Sequence, residues 1–161
     1  MDVIMTGWVF SINIGSQKGG PKKMAASCVF KEGSGIEGDA HAGPGDRQVS
    51  LLAIEAIEEL GRSVVSDGPE LEPGMFAENI TTQGLDLTRV KIGDRLAIGA
   101  HVIVEIAKIG KTCHGGCSVT KNIGRCIMPE QGIFAVVIAG GAVKVYDKIV
   151  TQQKGRSWLK I

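Results

Sequence analysis

The fold is read from Ile133-Phe134-Ala135-Val136-Val137-Ile138, the Gly140-Gly141 pair, and Lys144-Val145-Tyr146-Asp147-Lys148-Ile149-Val150-Thr151. Two short runs rich in Val and Ile on either side of a Gly-Gly pair have the composition of strands joined by a turn. The same punctuation recurs upstream, with apolar runs at Val102 to Ile109, Arg95 to Ile98 and Asn79 to Thr82. Val3 to Asn13 and Met24 to Phe30 read as two further strands, with Gly15 to Lys23 as the turn between them. Glycine supports this reading, because 23 glycines in 161 residues are about twice the ordinary share of roughly 7%. A helical pattern is clear at one place. Ser50 caps Leu51 to Leu60, whose apolar positions Leu52, Ile54, Ala56, Ile57 and Leu60 follow helical spacing, and Gly61 is placed to end it. Gly68 to Gly74 reads as a surface loop. The expectation is one domain over residues 1–161, mainly β and barrel-like, with one or a few short helices.

Composition narrows the partners. The chain carries 18 basic and 17 acidic residues for a formal net charge of +1, and only seven aromatics. It therefore has neither the field nor the stacking surface of a nucleic-acid binder. Lys18 to Lys23, with three lysines around Gly19-Gly20-Pro21, is the one basic cluster and reads as a solvated hairpin tip rather than an anion site. No apolar run approaches the roughly 18 residues that span a bilayer, and no secretory signal opens the chain. A cytoplasmic location is expected. In that reducing compartment Cys28, Cys113, Cys117 and Cys126 read as thiols or ligands rather than as a disulfide framework.

Three glycine-rich segments are candidates for chemistry. Lys111-Thr112-Cys113-His114-Gly115-Gly116-Cys117 places two thiols and an imidazole in a loosened loop after the Val102 run, where Lys108, Lys111 and His114 favour a thiolate. Gly35-Ile36-Glu37-Gly38-Asp39-Ala40-His41-Ala42-Gly43, followed by Asp46 and Arg47, offers converging backbone N–H groups, a titratable His41 and the fork of Arg47. By itself this is as well read as a turn. In Pro73-Gly74-Met75-Phe76-Ala77-Glu78-Asn79-Ile80 a polar pair interrupts an apolar surround, so Glu78 and Asn79 are either a hydrogen-bond clip or part of a site floor.

These segments, together with Arg47-Gln48-Val49-Ser50-Leu51-Leu52 and Ile92-Gly93-Asp94-Arg95-Leu96, occur in an order that resembles the MOSC family, named for the C-terminal domain of molybdenum-cofactor sulfurases. The resemblance runs from about Met5 to about Val150. The Ile127 to Ala135 segment and its preceding Cys126 look like the small stand-alone bacterial members. It implies a β-barrel-like fold of mostly antiparallel strands and a binding role for the pterin-based molybdenum cofactor. Cys113 takes the place of the family's key cysteine, as metal ligand or reactive sulfur. The implied cofactor-binding set is Gly38, Asp39, His41, Arg47, Glu78, Asn79, Lys111 and His114. The Gly38 to Arg47 loop is the candidate phosphate cradle. Lys111-Thr112 stands where many larger relatives carry an arginine and a proline.

Three functions stay open. In the first, Cys113 ligates molybdenum and the centre reduces an N-hydroxylated small molecule. In the second, Cys113 carries a persulfide for sulfur transfer, with Cys117 or Cys126 as the resolving thiol and a cysteine desulfurase or a cofactor-biosynthesis enzyme as partner. In the third, Cys113, His114, Cys117 and Cys126 hold a structural zinc ion, although their spacing lacks paired C-x₂-C knuckles. Cys28 in its apolar context reads as a buried hydrophobe, and His101 as a solvated strand-start residue. The tail Lys154 to Ile161, with Trp158, is either a free end or a patch for a second copy of the chain, which leaves a homodimer open.

Overall fold

The structure, a computed structural model, describes residues 4–17, 21–63, 70–110 and 131–152. Its strands are β1 (Thr6–Ile14), β2 (Lys23–Ala25), β3 (Ser27–Lys31), β4 (Gly35–Ile36), β5 (Val49–Ala53), β6 (Ile80–Gln83), β7 (Arg95–Ile98), β8 (Val102–Ile109), β9 (Ile133–Ala139), β10 (Gly141–Lys144) and β11 (Lys148–Gln152). One α-helix, α1 (Ile54–Ser63), and a 3₁₀ turn at Leu87–Arg89 complete the described elements.

The large sheet runs β11-β7-β8-β9-β5-β6-β1-β2, and β11 also pairs with β1. Among the described residues the sheet therefore closes into a seven-stranded barrel, with β2 appended outside the ring. Closure leaves few unpaired edges. The pairing β5–β6 is parallel and the other strand pairings are antiparallel. β10, β3 and β4 form a small second sheet.

Alternation shows what each strand covers. β8 and β11 bury every second residue, as strands with one face toward a core must. β5 and β6 are buried on both faces. Their inward residues, such as Leu51 and Ile80, join the barrel core, while Leu52 packs outward against Ile54, Ile57 and Leu60 of α1 and against Phe76. Burial of each such side chain contributes about 1.5–3 kcal/mol.

This double burial explains where the expectation and the structure part. Val49 to Ala53 is a continuous apolar run, and periodicity cannot separate a two-faced strand from a helix. Residues expected at the start of the helix form β5, and α1 begins at Ile54 and continues through Gly61 to Ser63. The Met24 to Phe30 run bends at Ala26 into strands of two different sheets. The Gly140-Gly141 pair is not a hairpin turn, because Gly141 opens β10, which pairs with β3. Lys144 to Thr151 is likewise divided at Tyr146, whose φ of 74° is left-handed. β7 and β8 coincide with the runs read from sequence.

Register fixes the ends of the barrel. Leu51 aligns with Ile80 and with Ile133, Ile80 with Ile12, and Ile133 with Ile109. On one side of this layer the strands lead to Gly15, Asn79 and Val49. On the other they lead to Gly110, Gly132 and the start of α1, and the Gly110 N–H donates to the Gly132 carbonyl at 2.7 Å.

Candidate functional site

Three glycine loops meet beyond the C-terminal end of β1. Gly38, at φ 86°, turns the chain so that Asp39 points back at β1. The Asp39 Oδ1 accepts from Lys22 Nζ at 2.7 Å and from the Gly15 N–H at 3.1 Å, and Oδ2 accepts from the His41 N–H at 3.0 Å. The side chains of Lys22 and Asp39 are both 0% exposed. Burial opposes ionisation of Asp39, but the contacts from His41, Lys22 and Gly15 outweigh it and hold the carboxyl well below the usual range. Lys22 Nζ also lies 3.1 Å from His41 Nδ1. The same His41 Nδ1 lies 3.6 Å from Asp39 Oδ2, so the ring nitrogen, the ammonium and the carboxylate form one cluster.

Lys22 was missed at the level of sequence, where its run read as a solvated tip. The structure buries it because Gly74 lets the backbone close on it. The Lys22 N–H donates to the Gly74 carbonyl at 2.8 Å, Gly74 has φ 89°, and a Cβ there would overlap the Lys22 carbonyl.

The Glu78-Asn79 pair points into the protein. Asn79 Oδ1 accepts from the Ser50 N–H at 3.0 Å, and Nδ2 donates to the Asn13 carbonyl at 3.2 Å. These are the contacts of a clip joining β5, β6 and β1. Ser50, expected as a helix cap, serves this clip instead. Glu78 Oε2 accepts from the Gly74 N–H at 3.0 Å and from Thr81 Oγ1 at 2.8 Å, while Oε1 is buried without a partner. Burial pushes the Glu78 carboxyl above its ordinary range, and the hydrogen bonds from Gly74 and Thr81 only partly offset this.

Arg47 lies on the outer face of the barrel. Its guanidinium sits 5.6 Å from the centroid of the Phe134 ring, a cation–π distance. Phe134 pairs in register with Ser50 on one side and with Lys108 on the other. The next residue, Gln48, holds the loop in place: its Nε2 donates to the carbonyls of Gly33 and Gly45, and its Oε1 accepts from the Val137 N–H at 2.9 Å.

The structure thus brings Gly38, Asp39, His41, Glu78 and Asn79 to one end of the barrel. Arg47 extends from that end toward Phe134 and Lys108. The readings placed on Lys111, Cys113, His114, Cys117 and Cys126, including the zinc reading, lie outside the described residues. The chain reaches residue 111 from Gly110, at the other end of the strands, and Lys108 is three positions earlier. Among the described residues no group of three His, Cys, Asp or Glu side chains is arranged to hold a metal ion. Cys28 is buried in the core, as expected, and its thiol is pushed up to about 12 by burial and by Asp147.

Among the described residues, a closed, mostly antiparallel seven-stranded barrel with one α-helix and a charged glycine-loop cluster defines a class of small β-barrel domains. The chain belongs to the MOSC domain family, whose model matches residues 37–150. Among solved structures it is similar to the YuaD protein of Bacillus subtilis, with 22% identity and a TM-score of 0.76 over 96% of this chain and 100% of that one. YiiM of Geobacillus stearothermophilus matches with 19% identity and a TM-score of 0.71, over 92% of this chain and 76% of that one. YiiM of Escherichia coli matches with 18% identity and a TM-score of 0.69, over 94% and 72%. At these identities the likeness is one of fold. A comparison with functionally curated proteins gave no match. No helix among the described residues is long and apolar enough to cross a membrane.

Proposed function

We propose that this MOSC protein binds the molybdenum cofactor and uses Cys113 as the metal-ligating or reactive sulfur. The observation that carries the reading is the Arg47–Phe134–Lys108 group. An exposed guanidinium lies on an aromatic floor, with a second cation beside it in register and the Cys113 segment following within a few residues. These residues fit a conjugated, phosphate-bearing ligand, since a guanidinium suits phosphate and the ring gives a flat apolar contact. Arg47 would hold the phosphate, Lys108 would add to the field, and the His41 ring would supply a further polar contact. Asp39, Glu78 and Asn79 would shape the loops rather than touch the ligand, because their polar atoms are turned inward. The bound cofactor would supply a redox-active metal centre in a sulfur-rich environment.

Cys28 adds a second support. Its raised thiol value makes it inert at neutral pH, which leaves sulfur chemistry to Cys113, Cys117 and Cys126. Reduction of an N-hydroxylated base and sulfur handling are the two activities the site would serve.

Metal and pterin analysis tests the proposal, on protein purified anaerobically from cells supplied with molybdate. Wild type is expected to carry molybdenum and pterin in near-equal amounts, Cys113→Ser to lose metal while keeping part of the pterin, and Arg47→Ala to lose both. Zinc without pterin would sink the reading. Protein without pterin but with added sulfur on Cys113 would replace it with the carrier function.

A further inference from the structure

Glu78 takes no part in the ligand contacts above, and it is 0% exposed. It closes a tight turn in which Gly74 and Ala77 have left-handed φ, 89° and 65°, a conformation that a side chain such as that of Ala77 disfavours. The Ala77 N–H donates to the Gly74 carbonyl at 3.1 Å, and Glu78 Oε2 takes the Gly74 N–H at 3.0 Å and the Thr81 hydroxyl at 2.8 Å. Oε1 is buried with no donor. The groups that favour ionisation are N–H groups of the turn and the Thr81 hydroxyl, and burial outweighs them. Among the described residues, β1 presents Ser11 and Asn13 around the turn, β5 presents Ser50 and β6 presents Thr81, all neutral. Glu72 on the turn and Lys23 on β2 are exposed. The charged groups that the turn does reach are Lys22, Asp39 and His41, through the Lys22 N–H on the Gly74 carbonyl at 2.8 Å.

We propose that Glu78 is a proton-operated latch: protonated, it holds the turn of residues 74–78 closed on Lys22, and ionised, it loosens that turn and with it the anchor of the Asp39–His41 loop. A buried carboxylate with one oxygen unpaired gains strongly from contact with water, and opening the turn supplies that contact. The neutral carboxyl keeps both bonds to Oε2 and has no charge to solvate. The sign follows from linkage. A carboxyl whose value is raised in the closed turn is a proton site that favours closure. Closure is therefore firm below the ordinary glutamate value of about 4.3 and weakens as pH rises from there toward the folded value. Gly74 carries the effect onward, because its carbonyl holds the Lys22 backbone and Lys22 Nζ holds Asp39 and His41. The latch belongs to the chain's own loops and does not rest on the cofactor reading.

Amide-resolved hydrogen exchange of the full chain, with a ¹³C NMR titration of the Glu78 carboxyl, tests this. The carboxyl midpoint should lie above about 4.3. Protection of the Gly74, Lys22 and His41 amides, corrected for intrinsic exchange, should fall by about tenfold per pH unit up to that midpoint and then level off, as one linked proton requires. Exchange at these three amides should be insensitive to urea below the unfolding transition, because a local opening exposes little surface, whereas exchange of Val104 and Ile106 in β8 should rise with it. In Glu78→Gln the pH-dependent fall should vanish. In Thr81→Val, which removes a donor that favours the ionised form, the carboxyl midpoint and the levelling point should move up together. A carboxyl midpoint in the ordinary range, a fall at Gly74 that does not reach Lys22 and His41, a urea dependence equal to that of β8, or a fall that persists in Glu78→Gln would each overturn the latch.

Discussion

Lys22 Nζ lies 2.7 Å from Asp39 Oδ1 with both side chains fully buried, and this pair joins the turn after β1 to the glycine loop that carries His41 and Arg47. Removing one partner leaves the other charge buried and alone, so Lys22→Met should destabilise the fold by about 3–5 kcal/mol. Replacing both, as in Lys22→Met/Asp39→Leu, should cost less than the sum of the single changes. Urea unfolding of the three variants checks this.

Asp39 also sets an acid limb of stability. An aspartate is ionised in an unfolded chain above about pH 3.9, and in the fold its value is lower. Its stabilisation is therefore complete above about pH 4 and is lost as pH falls below that toward the folded value. Thermal unfolding of the wild type should steepen in pH dependence below about pH 4, and Asp39→Asn should flatten that limb.

Glu78 acts with the opposite sign. Its folded value is raised, so its contribution is complete below the unfolded value of about 4.3 and is lost as pH rises through it toward the folded value. Glu78→Gln keeps an acceptor for Gly74 and Thr81 and carries no charge. Its Tm relative to wild type should therefore be higher at pH 8 than at pH 5.

Gly74→Ala meets two obstacles, a left-handed φ and the Lys22 carbonyl. It should destabilise the protein by about 2 kcal/mol or more, and it should also weaken binding at Arg47 and His41 by loosening the Lys22 anchor. Calorimetry, combined with pterin content, reads both effects.

Thiol titration with a chromogenic disulfide separates Cys28 from the other three cysteines. In the native protein at pH 7.5 no more than three of the four thiols should react rapidly. Cys28, with its value pushed up to about 12, should react only after unfolding, and Cys28→Ala should leave the native count unchanged.

Much of the fold was legible in the sequence where one face of a strand meets the core. β7 and β8 alternate, and their boundaries were read directly. Leu51 to Ala53 of β5 were read as the start of the helix, with Ser50 as its cap, because α1 and Phe76 cover the strand's outer face and abolish the alternation. The motif order likewise identified the family. It singled out Asp39, His41, Glu78 and Asn79, which the fold gathers at one end of the barrel, but not the directions in which their polar atoms point.

What the sequence determined by itself is a mainly β MOSC chain, with its turns at glycine and its apolar runs cut to strand length. Those properties depend on local conformational limits and on short-range hydrophobic pattern. Only the tertiary structure decided that Lys22 is buried against Asp39, that Ser50 serves Asn79 instead of capping a helix, and that Arg47 lies on Phe134. Each of these contacts joins residues 17 to 87 positions apart, or 29 for Ser50 and Asn79. At such separations a side chain's partner is set by barrel closure and register, which no local pattern records.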